Sequence, residues 1–582
     1  MSRRSGGGQG TRPGVAMTLC VLFALLAAAA LYFAEKHQAP APAPQPIPAP
    51  VVAPDPAAGQ QAARVLDEDD RIEANVFGRP QDHPLPGLPT VVLGPQPQPY
   101  TLNSLIGSGT AHRVDAKTVD LLKSVIVAPG AVLDVEAPGT TLRLASGPGG
   151  FASIVGWQAG ITLAGSGAAP LTITSWNQAA KGPDTSVADG RAYIRGIGAD
   201  LSLHFVHATS LGFWSGRTGG VAITGIAAGA ATGTISNTQV DQNHYGLYAD
   251  DVAKLTVADS TFSHNELTGV LLHRGTTNAV VERTVAEANG ADGFVADRGS
   301  ESIVLRNLTA TANQGDGVRL DGRPLAEDSG PAGASNVPHK DFRVEGSLVR
   351  ANRDDGIRAV DGNHVVVTGN RVVGHQDGIV VTDGSVGVEI SDNDVVGPVT
   401  AGIALRDGPS GVLVRANKVE GGSIGLQVRD ARAELRDNIV SGATGHGLSV
   451  VGAAGGTIAE GNSLRGAGAS ALDVARLAPQ AVVTLKANDD SGWKVEVPIG
   501  DFLSNLVRDH PLLPLWVLVL LAPLALIVLR RSRSSHPYIE GAGRPEPPAT
   551  AHDGRGETLL LPRPPVRQSG SRPLQPNGEG PR

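Results

Sequence analysis

The sequence predicts an all-β chain, a right-handed parallel β-helix (solenoid) flanked by two transmembrane helices, and three observations carry that expectation. First, Gly followed by Val, Ile, Leu or Phe recurs about every two dozen residues. The copies are Gly246-Leu247, Gly269-Val270, Gly293-Phe294, Gly317-Val318, Gly356-Ile357, Gly378-Ile379, Gly402-Ile403, Gly425-Leu426 and Gly447-Leu448. Each opens a short alternating apolar run, and a period too short for two helices matches one coil of a solenoid. Second, Asn243, Asn265, Asn289, Asn313 and Asn352 precede the repeated Gly by three or four residues, and Asn370, Asn393, Asn417, Asn438 and Asn462 form another series. Asn suits a turn that recurs on every coil, because it tolerates left-handed backbone and bonds local peptide groups. Stacking would align these side chains into ladders about 4.8 Å apart, a structural role. Third, two apolar runs with arginine flanks bracket the whole repeat.

From the N-terminus, residues 1–14 form a cytoplasmic segment and Val15–Ala34 an apolar stretch long enough to span a bilayer. Arg3, Arg4 and Arg12 before it belong on the cytoplasmic side. A cleaved signal peptide is the alternative, with Ala27–Ala30 or Ala34 serving a peptidase, but the run is longer than the usual signal core. Residues 35–65 are a linker whose Pro/Ala tract, Ala39–Ala58, favours an extended semi-rigid spacer. Residues 66–124 form an entry and cap segment, irregular over Leu66–Asn103, and the solenoid occupies 125–477, starting at Val125-Ile126-Val127. The interval from Gly317 to Gly356 exceeds one coil, so a loop leaves the solenoid around Arg323–Lys340. Residues 478–510 are the second cap, where Trp493 either covers the core or sits near lipid headgroups. Pro511–Leu529 is the second span, ending at Arg530-Arg531-Ser532-Arg533, and 530–582 is a disordered tail. Both termini are thus expected in the cytoplasm of a bacterial cell, with the large middle region outside.

Composition narrows the function. The chain has 75 Gly, 41% hydrophobic and only 4% aromatic residues, so its core must be Val, Ile, Leu and Ala. A formal charge of -8 without a basic stripe excludes nucleic acid as a partner. The single cysteine, Cys20, excludes an intramolecular disulfide framework and lies in an apolar run. A long flat sheet suits an extended polymer instead.

Two residues stand out on such a sheet. His273 falls four residues after Gly269 and Arg298 five after Gly293, near the same strand end on neighbouring coils. Arginine can hold a uronate carboxylate and offset the charge that makes the adjacent C–H bond hard to ionise. Histidine titrates near neutral pH and can remove that proton. Asp250-Asp251 and Gly445-His446-Gly447 resemble fragments of polygalacturonase motifs but lie many coils apart. Asp354-Asp355 reads as turn polarity, and Asp297 with Glu301 offers too few oxygens for calcium, so no metal and no cofactor is expected.

At these residues Phe151 to Asp321 resembles the periplasmic alginate (mannuronan) C5-epimerases. The resemblance lies in Asn243-His244-Tyr245-Gly246-Leu247-Tyr248, in Asn265 to Val270 leading to His273, and in Asp292-Gly293-Phe294-Val295-Ala296-Asp297-Arg298. It implies that His273 is the base at C5 and Arg298 neutralises the carboxylate. The chain departs from the family where an Asp-Pro-His-Asp motif should stand: it has Leu271-Leu272-His273-Arg274, with no adjacent carboxylate to orient the imidazole. Arg274, Tyr245, Tyr248 and Arg319 are the candidate substrate contacts, with Arg358 and Arg406 extending a cationic groove if they face the same sheet. Tyr245, Tyr248 or water would return the proton. The expected partner is an acidic polysaccharide, handled at the membrane beside a synthase or export complex. Three readings stay open: C5-epimerase, non-catalytic polysaccharide-binding component, and structural or adhesive stalk.

Overall fold

The computed structural model describes residues 56–82, 87–226, 231–323 and 339–496, with positions 512, 519 and 521–523. The chain divides into two compact units, Pro42–Asn505 and a second made of Met1–Ala41 with Leu506–Arg582. Val15–Ala34, Cys20, the tail after Arg530 and nearly all of Pro511–Leu529 lie outside the described residues. Among the described residues no helix is long and apolar enough to cross a membrane.

The repeated apolar runs form a parallel β-helix. Among the described residues its first sheet has fifteen strands and its second fourteen. The third runs in parallel register from Thr118–Leu121 through Thr141–Ala145 to Asp489–Val495. On the first sheet, Leu247, Val270, Phe294, Val318 and Ile357 stack in register and are all buried. Alternate residues on each strand face outward, as the period of two requires. The ladders extend past 125–477 at both ends. Thr90–Leu93 already pairs with Ser124–Val127, and Thr484–Lys486 still pairs with Ile458–Glu460. One such strand shows too little alternation to be read before its partner is known.

The repeated glycine is explained by space. A Cβ on Gly317 would lie 2.3 Å from Val349 Cγ1 and 2.7 Å from both Asn352 Nδ2 and the Gly356 carbonyl oxygen. Only a residue without a side chain lets the next coil approach so closely. Nor does the asparagine adopt the left-handed conformation expected of it. That conformation falls on the residue before, at Gln242, His264, Ala288, Ala312 and Ala351. This turns the asparagine side chain inward. Asn265 Nδ2 donates to Asn289 Oδ1 (2.8 Å), Asn289 to Asn313 (2.9 Å) and Asn313 to Asn352 (2.8 Å). His375 takes the next place, its ring nitrogens 3.3 and 3.2 Å from the Asn352 and Val349 carbonyls. The second series runs in the same way from Asn370 to Asn462 and on to Asn488.

Aspartates form a third ladder just before the repeated glycine. Asp292 Oδ1 accepts from the Asp316 amide (2.8 Å), Asp316 from Asp355 (2.9 Å), Asp355 from Asp377 (3.2 Å) and Asp377 from Ala401 (2.8 Å). Asp355 is therefore a buried ladder member and not mere turn polarity. Burial, reinforced by the neighbouring carboxylates, pushes Asp316 up to about 7 and Asp355 up to about 6.

Both ends of the core are covered. A short helix, Leu102–Gly107, starts in a capping box between Thr101 and Ser104 and buries Leu102 and Leu105. At the other end Trp493 packs on the core and its Nε1 donates to the Gly468 carbonyl at 3.4 Å, which places it in the cap. A longer helix, α1 (Pro56–Phe77), occupies part of the expected linker and part of the expected irregular entry. Val65 and Ile72 pack on the outward residues Ile126, Val155 and Ile197 of the first sheet. No apolar stripe announces this helix, because Asp67, Glu68 and Arg71 are buried beside them. Arg71 Nη2 donates to Glu68 (2.6 Å) and Ser153 (2.9 Å), and Tyr193 Oη donates to Glu68 at 2.8 Å.

Two outcomes follow from these ladders. Asn313→Ala leaves the Asn289 amide and the Ala286 carbonyl without that partner, and should cost the central coils about 3 kcal/mol. Hydrogen exchange of Val270–Leu320 measures it, and a loss below about 1 kcal/mol would show that the ladder is not a stabilising element. Asp316 holds its proton more tightly folded than unfolded. Its stabilising contribution is present below pH 4 and is lost as pH rises through about 7. The groups facing it are Asp292, Asp355 and Arg358. Asp316→Asn keeps the acceptor oxygen, so its melting temperature should fall less than that of the unchanged protein between pH 5 and 8, which paired thermal melts record.

Candidate functional site

The site lies on the outer face of the first sheet, and coil register decides its content. Four residues after each repeated glycine comes an outward position occupied by Asp250, His273, Asp297 and Asp321 on successive coils. Asp250 pairs with His273, and Leu272 opposite Ala296 carries His273 onto Asp297. His273 Nδ1 lies 2.7 Å from Asp297 Oδ2. The imidazole is 16% exposed, held at the surface without being lost to solvent. The carboxylate missing from the local sequence is thus supplied by the neighbouring coil.

The same register separates His273 from Arg298. Arg298 is one residue beyond Asp297 and is the counterpart of Arg274, not of His273. Arg274, almost fully buried, turns back one coil, with Nε 3.5 Å from Asp250 Oδ1. Arg298 turns forward: its Nη1 donates to the Gly322 carbonyl at 2.5 Å and lies 3.4 Å from Asp361 Oδ2. The two guanidiniums therefore flank the row of His273 on opposite sides.

Tyr248 and Tyr245 form the floor on the side toward α1. The Tyr248 ring lies 5.5 Å from the His273 ring, and its hydroxyl donates to Asp250 Oδ2 at 3.2 Å. Tyr245 lies 6.2 Å from Tyr248 and stacks edge-on to His244. Burial raises both phenols, Tyr248 well above the usual value with help from Asp250, and Tyr245 with help from Asp297. Both keep their protons at neutral pH. Beyond Tyr248 the face is closed by α1, where Asp69 accepts from Arg195 at 2.9 Å and pairs with Arg217 at 3.2 Å.

On the other side the face carries arginines, each paired with an aspartate. Arg319 and Arg358 stand in register on adjacent coils, each about a third exposed, and pair with Asp292 (3.0 Å) and Asp355 (3.3 Å). Arg406 is on the same sheet and meets Asp377 at 2.8 Å. Glu301 is not at the site: it belongs to the second sheet and pairs with Lys340. His446 lies far along the first sheet, bonded to Ser470. Among the described residues no group of three or more His, Cys, Asp or Glu is placed to hold a metal ion. Sequence reasoning passed over Asp250 and Asp297 as partners of His273, although the constant offset of four from the glycine marks all three.

A profile of the right-handed β-helix region matches residues 214–325 and 325–419. No curated protein matches the chain. Among solved structures, the periplasmic alginate epimerase AlgG is similar at 14% identity over 74% of this chain and 88% of that one, with a TM-score of 0.49. The A-module of the Azotobacter vinelandii mannuronan C-5 epimerase AlgE4 is similar at 18% identity, over 53% of this chain and 87% of that one, with a TM-score of 0.43. The Dettilon tailspike protein is similar at 15% identity over 56% and 66%, with a TM-score of 0.34. The fold itself rests on the strand ladders and the β-helix match: the chain is a right-handed parallel β-helix.

Proposed function

We propose that this protein is a membrane-tethered, extracytoplasmic β-helix protein that acts on an acidic polysaccharide, epimerising uronate residues at C5. The observation that carries the reading is the pairing of outward-facing His273 with Asp297 across adjacent coils at 2.7 Å. With Nδ1 engaged by the carboxylate, the other ring nitrogen is left as the base, and the carboxylate stabilises the imidazolium that forms. His273 then takes the C5 proton while the electron pair moves into the uronate carboxyl group. Arg298 neutralises that group, in competition with the Gly322 carbonyl and Asp361. A proton returns to the other face of C5 from Tyr248, Tyr245 or water. The resemblance around His273 and Arg298 noted in the sequence supports the same assignment.

The row of Arg319 and Arg358 also favours a second reading, a polysaccharide-binding component of an export assembly without chemistry. Incubation with polyuronate in deuterated water separates the two. Deuterium should enter at C5, and His273→Ala should abolish it. Asp297→Asn should lower the turnover rate by about two orders of magnitude with little change in KM, because it removes orientation and charge stabilisation but no polymer contact. Arg298→Ala should weaken binding and slow exchange together. Binding through Arg298 with no exchange above background assigns the second reading, and neither binding nor exchange leaves only a stalk.

The tether rests on the arginine flanks of Val15–Ala34 and Pro511–Leu529, which put both termini in the cytoplasm and the solenoid outside. A reporter fused after Arg533 should be active only on the cytoplasmic side, and activity on the outer side overturns this arrangement.

A further inference from the structure

The corner that leads into the strand Gly220–Thr224 is unlike the one after it. It spends ten residues, Ser210–Gly219, where the next coil spends three, Gln242–His244. The extra length is tightly fixed. Phe213 is fully buried against Phe151 and Tyr193, with ring centroids 5.2 and 6.4 Å away. Its amide donates to the Thr218 carbonyl (2.9 Å), and Thr218 Oγ1 donates to the Phe213 carbonyl (2.7 Å). Arg191 Nε donates to the Gly212 carbonyl at 2.8 Å.

This rigid loop holds Trp214 at φ +43° and leaves it 40% exposed. Positive φ is costly for a bulky L residue and persists only where the surroundings impose it. The location of Trp214 is informative. Gly216, two residues on, has its backbone against the Tyr248 ring, since a Cβ there would fall 2.1 Å from Tyr248 Cδ2. Tyr248 in turn faces His273. Trp214 therefore stands within about 7 Å of chain from the site floor, on the side opposite Arg319.

We propose that Trp214 is a stacking platform for one pyranose ring of the polymer, a subsite on the α1 side of His273. The C–H face of a pyranose is apolar and carries partial positive charge, which suits the negative face of an indole. The adjacent Arg217, tied to Asp69, adds a positive charge that favours a uronate over a neutral sugar. This inference rests on the reading that a polyuronate occupies the His273 face.

The test uses the full-length chain, oligouronates of increasing length, and the variants W214A, W214F and W214G. W214A should bind long oligouronates about five- to tenfold more weakly, with the shortest ones and the turnover rate at saturation unaffected. W214F should retain most of the affinity. W214G should lose as much affinity as W214A yet melt at a higher temperature than W214A, because glycine accepts the positive φ without strain. A residue needed only for folding would lower the melting temperature in W214A with no change in affinity for long oligouronates. Unchanged affinity in W214A overturns the subsite while the polyuronate reading stands. No oligouronate binding by the unchanged chain overturns that reading, and the subsite with it.

Discussion

Everything in this molecule depends on the hydrogen bonding of each coil to the next. Adjacent coils lie about 4.8 Å apart, and at that spacing every backbone group at a corner must find its partner on a neighbour. The asparagine ladders meet this demand, since Oδ1 of Asn289, Asn313 and Asn352 accepts from the preceding asparagine's amide and side chain while Nδ2 of Asn265, Asn289 and Asn313 donates onward. The glycine after each corner then removes the one side chain that would hold the coils apart. The result is a stiff stack in which a single residue's height along the axis is determined by its neighbours.

That stiffness makes a site possible without a local motif. His273 needs a carboxylate at a set distance, and the stack places Asp297 on one side and Asp250 on the other with no help from residues adjacent in sequence. The same logic makes the surface asymmetric. Toward the N-terminal end, α1 and the loop Ser210–Gly219 close the face with buried ion pairs and aromatic rings. Toward the other end the face is open and carries arginines.

Those arginines are not idle charges. Arg319, Arg358 and Arg406 lean on members of the aspartate ladder, and burial holds Asp316 and Asp355 partly protonated near neutral pH. A ladder of fully ionised aspartates would cancel the row. Raised carboxyl groups lessen that cancellation. An arriving carboxylate has to replace contacts the arginines already make, which favours a polymer engaging several at once over a single sugar.

The sequence by itself determined the solenoid, because a glycine and an asparagine at constant spacing reflect a requirement that every coil repeats. It also picked out His273 and Arg298, whose offsets from the glycine place them near one strand end. What it could not determine was which residues touch. An offset of four against one of five puts His273 and Arg298 in different columns, and only paired strands show that Asp297 is the neighbour of His273. The same holds for α1, whose buried face is largely charged and is stabilised by partners such as Ser153, Tyr193 and Arg195, well over sixty residues away. Trp214 looked like any other loop residue until the packing of Phe213 and Thr218 fixed its backbone. Spacing along a chain reports the period of a fold, whereas contact depends on register between coils, and register is a property of the assembled stack.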